Sequence, residues 1–102
     1  CNENPAQIRY MALEDENTLQ ICFDGNLQSF TTDNIKVQLK TGEELRDLKI
    51  VKAQEYPEIV WYLVQSPQAK MTGCIVTLQG LRSAKCGTEL PVIEFEPPMT
   101  IN

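Results

Sequence analysis

The sequence predicts an all-β chain, folded as an antiparallel seven-stranded β-sandwich. Three observations carry this. Apolar residues recur with period two in run after run. Turn-forming residues separate the runs. No apolar pattern of helical period persists for ten residues. Strict alternation buries one face of a strand and leaves the other to water, whereas an amphipathic helix repeats every 3.6 residues.

Taken in order, residues 7–14 form a first, weaker strand. Leu19, Ile21 and Phe23 then alternate with Gln20, Cys22 and Asp24. Ile35, Val37 and Leu39 alternate with Lys36, Gln38 and Lys40, the cleanest half-buried strand in the chain. Leu48 and Ile50 flank Lys49, with Val51 blurring the pattern. The run Ile59-Val60-Trp61-Tyr62-Leu63-Val64 is apolar on both faces and predicts a central strand, residues 58–65, covered on both sides. Adjacent strand residues point to opposite faces, so Trp61 and Tyr62 cannot both face the same layer; Trp61 is expected in the core. Val76 and Leu78 alternate with Thr77 and Gln79, and Ile93 and Phe95 with Glu94 and Glu96.

The connections have turn chemistry. Glu14-Asp15-Glu16-Asn17 is a polar hairpin turn. Asp24-Gly25-Asn26 and Thr41-Gly42 supply residues that tolerate positive φ. Tyr56-Pro57 and Ser66-Pro67 restrain the residue before each proline and bracket the central strand. Only Thr41–Asp47 and Leu81–Lys85 have room for a helical turn.

A chain of 102 residues predicts one domain. The expected division is a polar N-terminal tether over 1–7, the sandwich over 8–97 and an extended tail over 98–102. Strand number and size resemble the immunoglobulin-like and fibronectin-like class, and the resemblance implies that architecture. The antibody-type marks are missing: Trp61 lies 39 residues after Cys22 and 13 before Cys74, and Thr72 stands where a tyrosine corner would need Tyr.

Nine basic against fourteen acidic residues give a net charge of −5. Such a chain is a poor ligand for nucleic acid or anionic lipid. It contains no histidine, which removes Ser-His-Asp and Cys-His catalysis and His-ligated zinc. The longest apolar run is six residues, against the 20 or so that a membrane-spanning helix needs.

The four cysteines are Cys1, Cys22, Cys74 and Cys86, with no Cys-x-x-Cys pair. Wide spacing suits disulfides in an oxidising compartment. Four cysteines allow three pairings. Proximity in sequence favours Cys74 with Cys86, leaving Cys1 with Cys22; the alternative is four reduced thiols. The chain begins Cys1-Asn2-Glu3-Asn4-Pro5 rather than with Met. A leading Cys before a polar stretch resembles the mature end of a bacterial lipoprotein, and that resemblance implies acylation of the Cys1 thiol. Secretion, to the extracellular space or a periplasm and with or without a lipid anchor, is the expected localisation.

The remaining side chains offer little catalytic chemistry. Glu94 and Glu96 share a strand face, about 7 Å apart by strand rise, but glycoside hydrolysis also needs a deep cleft. Glu14-Asp15-Glu16-Asn17 lacks the spacing of a calcium loop. Lys36 and Lys40 share a solvent face, where lysine discourages edge pairing. No catalytic residue, cofactor or metal is expected. The expected function is therefore a non-catalytic module of a secreted or lipid-anchored envelope protein. It would act by protein binding, adhesion or spacing, on a partner whose complementary charge is basic. The alternative is a small periplasmic lipoprotein inhibitor or immunity protein that neutralises a toxin or enzyme.

Overall fold

The alternating runs become strands almost throughout. The computed structural model describes residues 5–55 and 59–99. The strands are β1 (Gln7–Asp15), β2 (Thr18–Asp24), β3 (Ile35–Gln38), β4 (Glu44–Leu45), β5 (Lys49–Glu55), β6 (Ile59–Gln65), β7 (Ile75–Leu78) and β8 (Ile93–Phe95). They form two four-stranded antiparallel sheets, of order β1-β2-β6-β5 and β4-β3-β7-β8. The inward sides of both sheets feed one apolar cluster, so the arrangement is sandwich-like. Leu13, Leu19, Ile21, Phe23, Val60 and Val64 come from the first sheet, and Val37, Val76 and Leu78 from the second; each is at most 1% exposed.

Eight strands are described where the sequence predicts seven. The additional one, β4, pairs with β3 through only Val37–Leu45 and Gln38–Glu44, too short for alternation to register. It occupies part of the Thr41–Asp47 segment that had room for a helical turn. A tight turn takes that place: Leu39 N–H donates to Glu43 O, Gly42 N–H donates to Leu39 O, and Gly42 adopts φ +95°. The helix found among the described residues is a single 3₁₀ turn, Thr32–Asn34. Thr31 Oγ1 accepts from Asp33 N–H and Asn34 Oδ1 accepts from Thr31 N–H, a reciprocal cap on a segment that reads as loop in sequence.

Packed chain extends past both ends of the expected 8–97 unit. Ala6 is buried, and its N–H donates to Ser83 Oγ over 2.6 Å. Leu13 N–H, on the free edge of β1, donates to Pro98 O, and Met99 forms a parallel bridge with Leu13. The tail thereby covers part of an edge that would otherwise present open hydrogen-bonding groups. The Tyr56-Pro57 turn lies outside the described residues.

At the other end of β1, the two-residue turn Glu16-Asn17 joins it to β2, with Asp15 opposite Thr18. Asn17 Nδ2 donates to Ser66 O and Ala69 O, while Ser66 N–H donates to Asn17 O and Met71 N–H to Glu16 O. One asparagine therefore ties the hairpin to the loop that follows β6.

Candidate functional site

The β6 run predicts a strand covered on both sides. Its position between β2 and β5 agrees with a central strand, but the two faces differ. Val60, Tyr62 and Val64 are buried between the sheets, whereas Ile59, Trp61 and Leu63 on the opposite face are only partly buried. Tyr62, not Trp61, is the core aromatic. It packs edge-on against Phe23 with centroids 6.0 Å apart, and at 4.9 Å against Phe30. The expectation that Trp61 lies in the core is thus corrected. Alternation places the two residues on opposite faces, and β6 faces the second sheet with its even-numbered residues.

Strand register assembles an apolar outer face on the first sheet. Tyr10, Cys22 and Trp61 are consecutive cross-strand partners over β1, β2 and β6. A second row runs Ala12, Gln20, Leu63 and Val51 through β5. The rings of Tyr10 and Trp61 meet edge to face, with centroids 6.0 Å apart at 81°, straddling Cys22, which is 1% exposed. Tyr10 and Val51 are each 38% exposed. The indole Nε1 of Trp61 is buried without a hydrogen-bond partner. Tyr10 reaches this face because the register shifts between Ile8 and Tyr10. Such a shift lets Ile8 pair with Phe23 and pack on the core while Tyr10 turns outward. The only sequence signal for this face is the two-sided β6 run; Tyr10, in the weak first strand, gives none until the register is known.

The second sheet differs. Its outward positions include Lys36, Gln38, Thr77, Glu94 and Glu44, with Ile75 as the apolar member. Lys36 lies 3.9 Å from Glu44, and Lys40 lies 3.9 Å from Glu96. Both Glu94 and Glu96 are exposed. An open depression of about 430 Å³ lies beside β4, among Glu43, Glu44, Arg46, Asp47, Ser66 and Gln68. Among the described residues no three His, Cys, Asp or Glu side chains are grouped to hold a metal ion, and no helix is long and apolar enough to cross a membrane.

The cysteines separate into two kinds. Cys22 and Cys74 are free and buried, and burial pushes both thiols above their ordinary pKa. Cys86 is exposed. The expected Cys74–Cys86 and Cys1–Cys22 pairings are therefore corrected. Cys74 belongs to the core, next to the turn in which its N–H donates to Met71 O. Cys86 sits at the tip of a hairpin closed by Leu90 N–H to Leu81 O and Ser83 N–H to Thr88 O. That hairpin docks on residues 26–28, where Ala84 N–H donates to Asn26 O and Gln28 N–H to Arg82 O. The chain leaves Cys74 through β7 before reaching this place, so closeness in sequence is not closeness in space. Cys1, the candidate for acylation, lies outside the described residues.

Comparison of the chain with protein-family models, with curated proteins and with solved structures gave no match.

Proposed function

We propose that this chain is a non-catalytic, immunoglobulin-like protein-binding module of a secreted or cell-envelope protein. In this reading it binds through the outer face of the β1-β2-β6-β5 sheet. The observation that carries the reading is the contrast between the two outward faces. One is polar and ion-paired; the other presents Tyr10, Trp61, Leu63 and Val51 to solvent with no covering layer among the described residues. Contact surfaces are enriched in Tyr and Trp and depleted in charge at their centres. The strand order supports the architecture. Lettered along the chain, β1-β2-β6-β5 reads A-B-E-D and β4-β3-β7-β8 reads C′-C-F-G, the arrangement of immunoglobulin-like sandwiches.

The occupant is a protein carrying an apolar patch within a basic surround. Among the described residues, ion pairs tie Arg9, Lys36, Lys40, Lys70 and Arg82 to acids. With fourteen acids against nine bases, the field left over is negative. A second copy of a chain of charge −5 is repelled by that same field. The inhibitor alternative demands the same acidic surface and differs only in what the partner does. The absence of histidine and the exposure of Glu94 and Glu96 support the non-catalytic part.

The test immobilises the native chain and a Tyr10→Ser/Trp61→Ser variant and exposes both to the extracellular fraction of the producing cells. Salt is stepped from about 0.02 to 0.5 M, across which the screening length falls several-fold. A basic protein held by the native chain at low salt, released by salt and not held by the variant supports the reading. Equal capture by both forms places the binding surface elsewhere. Self-association that the variant abolishes makes the occupant a second copy and overturns the basic-partner assignment.

A further inference from the structure

We propose that the open depression beside β4 receives a basic side chain, arginine or lysine, of a protein partner, with the hydroxyl of buried Ser66 as an acceptor. This deepens the reading of a basic partner and rests on it for the partner's class, not for the surface used. The depression, about 430 Å³, lies between the segment 43–47, which contains β4, and the loop that follows β6. Three carboxylates, Glu43, Glu44 and Asp47, line it against one cation, Arg46. Lys36 stands 3.9 Å from Glu44, and among the described residues no ion pair engages Glu43 or Asp47.

The second observation is Ser66 itself. Ser66 and Ser83 are the buried polar residues among those described. The Ser83 hydroxyl is accounted for, because it accepts from Ala6 N–H. Ser66 is 3% exposed, and its backbone is fully engaged: its N–H donates to Asn17 O and its carbonyl accepts from Asn17 Nδ2. Its hydroxyl has no partner among the described residues. Buried polar groups are normally hydrogen-bonded, since an unpaired one forfeits its hydration without return. Ser66 lines the depression, so a ligand seated there supplies the missing partner. The two bonds to Asn17 hold the Ser66 backbone in place before any ligand arrives.

The lining selects an organic cation. Ionised carboxylates only accept hydrogen bonds, a serine hydroxyl accepts as well as donates, and Gln68 adds an amide oxygen. A guanidinium or ammonium group brings both the donors and the charge that this set lacks. The excess of carboxylates over Arg46 disfavours an anion. A metal ion fits poorly, because among the described residues no three acidic, Cys or His side chains are grouped to hold one. The depression is open, so a free amine stays half hydrated there and its ion pairs are weak. A side chain carried by a partner is held in place by that partner's other contacts and loses less on binding. Ser66 lies five residues beyond Trp61, about 17 Å along the strand direction, so this contact is separate from the Tyr10–Trp61 pair.

Titration of the isotope-labelled chain at low salt with a blocked tri-arginine peptide, read by amide chemical shifts, tests the proposal. The tri-citrulline peptide has the same shape without the charge, and spermidine has the same charge without the peptide. The expected result is saturable shifts at 43–47 and at Ser66, Gln68 and Ala69, with the citrulline peptide silent and spermidine weaker. Ser66→Ala should weaken tri-arginine binding about tenfold. Its urea midpoint should not fall, since the hydroxyl removed has no partner. Glu43→Gln/Asp47→Asn should weaken binding about fivefold, and Tyr10→Ser/Trp61→Ser should bind like the parent. Absence of saturable shifts, equal binding of the citrulline peptide or of spermidine, unchanged affinity in Ser66→Ala, or lost affinity in Tyr10→Ser/Trp61→Ser would each overturn the proposal. None of these results decides the outer-face reading, which partner capture tests by itself.

Discussion

Replacing Trp61 and Tyr62 one at a time separates the two faces of β6. Tyr62 is 4% exposed and touches two further aromatic rings, Phe23 and Phe30. Tyr62→Ala removes a large core side chain, at about 3–5 kcal/mol. Losing each of the two ring pairs costs about 0.5–1.5 kcal/mol more. For a domain of this size each kcal/mol lowers Tm by about 4–8 °C, so Tyr62→Ala should lower it by more than about 15 °C. Trp61 is half-buried and touches one ring, Tyr10. Burial of roughly 100 Å² at 25 cal/mol per Å² stabilises by about 2.5 kcal/mol. Trp61→Ala should therefore cost about 2.5 kcal/mol plus about 0.5–1.5 kcal/mol for the one ring pair, less than the Tyr62→Ala sum, because the gap opens to solvent and leaves no cavity. Urea unfolding followed by far-UV circular dichroism measures both variants; Trp61 is the only tryptophan, so its fluorescence cannot report on its own replacement. A milder Tyr62→Leu keeps the comparison measurable if the alanine variant does not fold. If Trp61→Ala costs as much as Tyr62→Ala, with unchanged slope, Trp61 is a core residue and the proposed binding face is wrong.

Two further outcomes follow from local chemistry. Burial raises the thiol pKa values of Cys22 and Cys74 above 9.0 in the folded chain. The unfolded chain therefore loses those protons first, and stability should fall as pH rises above about 9. A Cys22→Ala/Cys74→Ala variant should lose less stability over that range, and urea midpoints with the same pH slope as the parent would contradict this. Asn17→Ala removes the donors to Ser66 O and Ala69 O. It should cost about 1–3 kcal/mol by leaving partly buried carbonyls without a partner. Faster amide exchange at Ser66 and Met71 is the expected signature, and unchanged exchange there would refute the tie.

The class of structure is legible in local pattern. Alternation at 19–24, 35–39, 59–64 and 93–96 specifies strands because side chains on a pleated strand alternate faces whatever else the chain does. The turn residues at 14–17, 24–26 and 41–42 likewise act locally, through backbone torsions that their own side chains permit. The lack of histidine is a fact of composition, and no folding changes it. The remainder depends on packing between distant parts of the chain. Period two states that Trp61 and Tyr62 face opposite ways, but not which of them meets the second sheet; when both are apolar, only packing across about 10 Å of core chooses. Tyr10 joins the outer face through a register shift that depends on β2 beside it. Two-residue β4 exists only as a partner of β3. Cysteine pairing escapes sequence reading for the same reason. Cys74 and Cys86 are close along the chain, yet one is drawn into the core as a small hydrophobe while the other is carried to the tip of a hairpin docked on residues 26–28. Periodicity and turn chemistry are interactions of short range along the chain, whereas the choice of face, the register and the partner of a thiol are set by residues dozens of positions away.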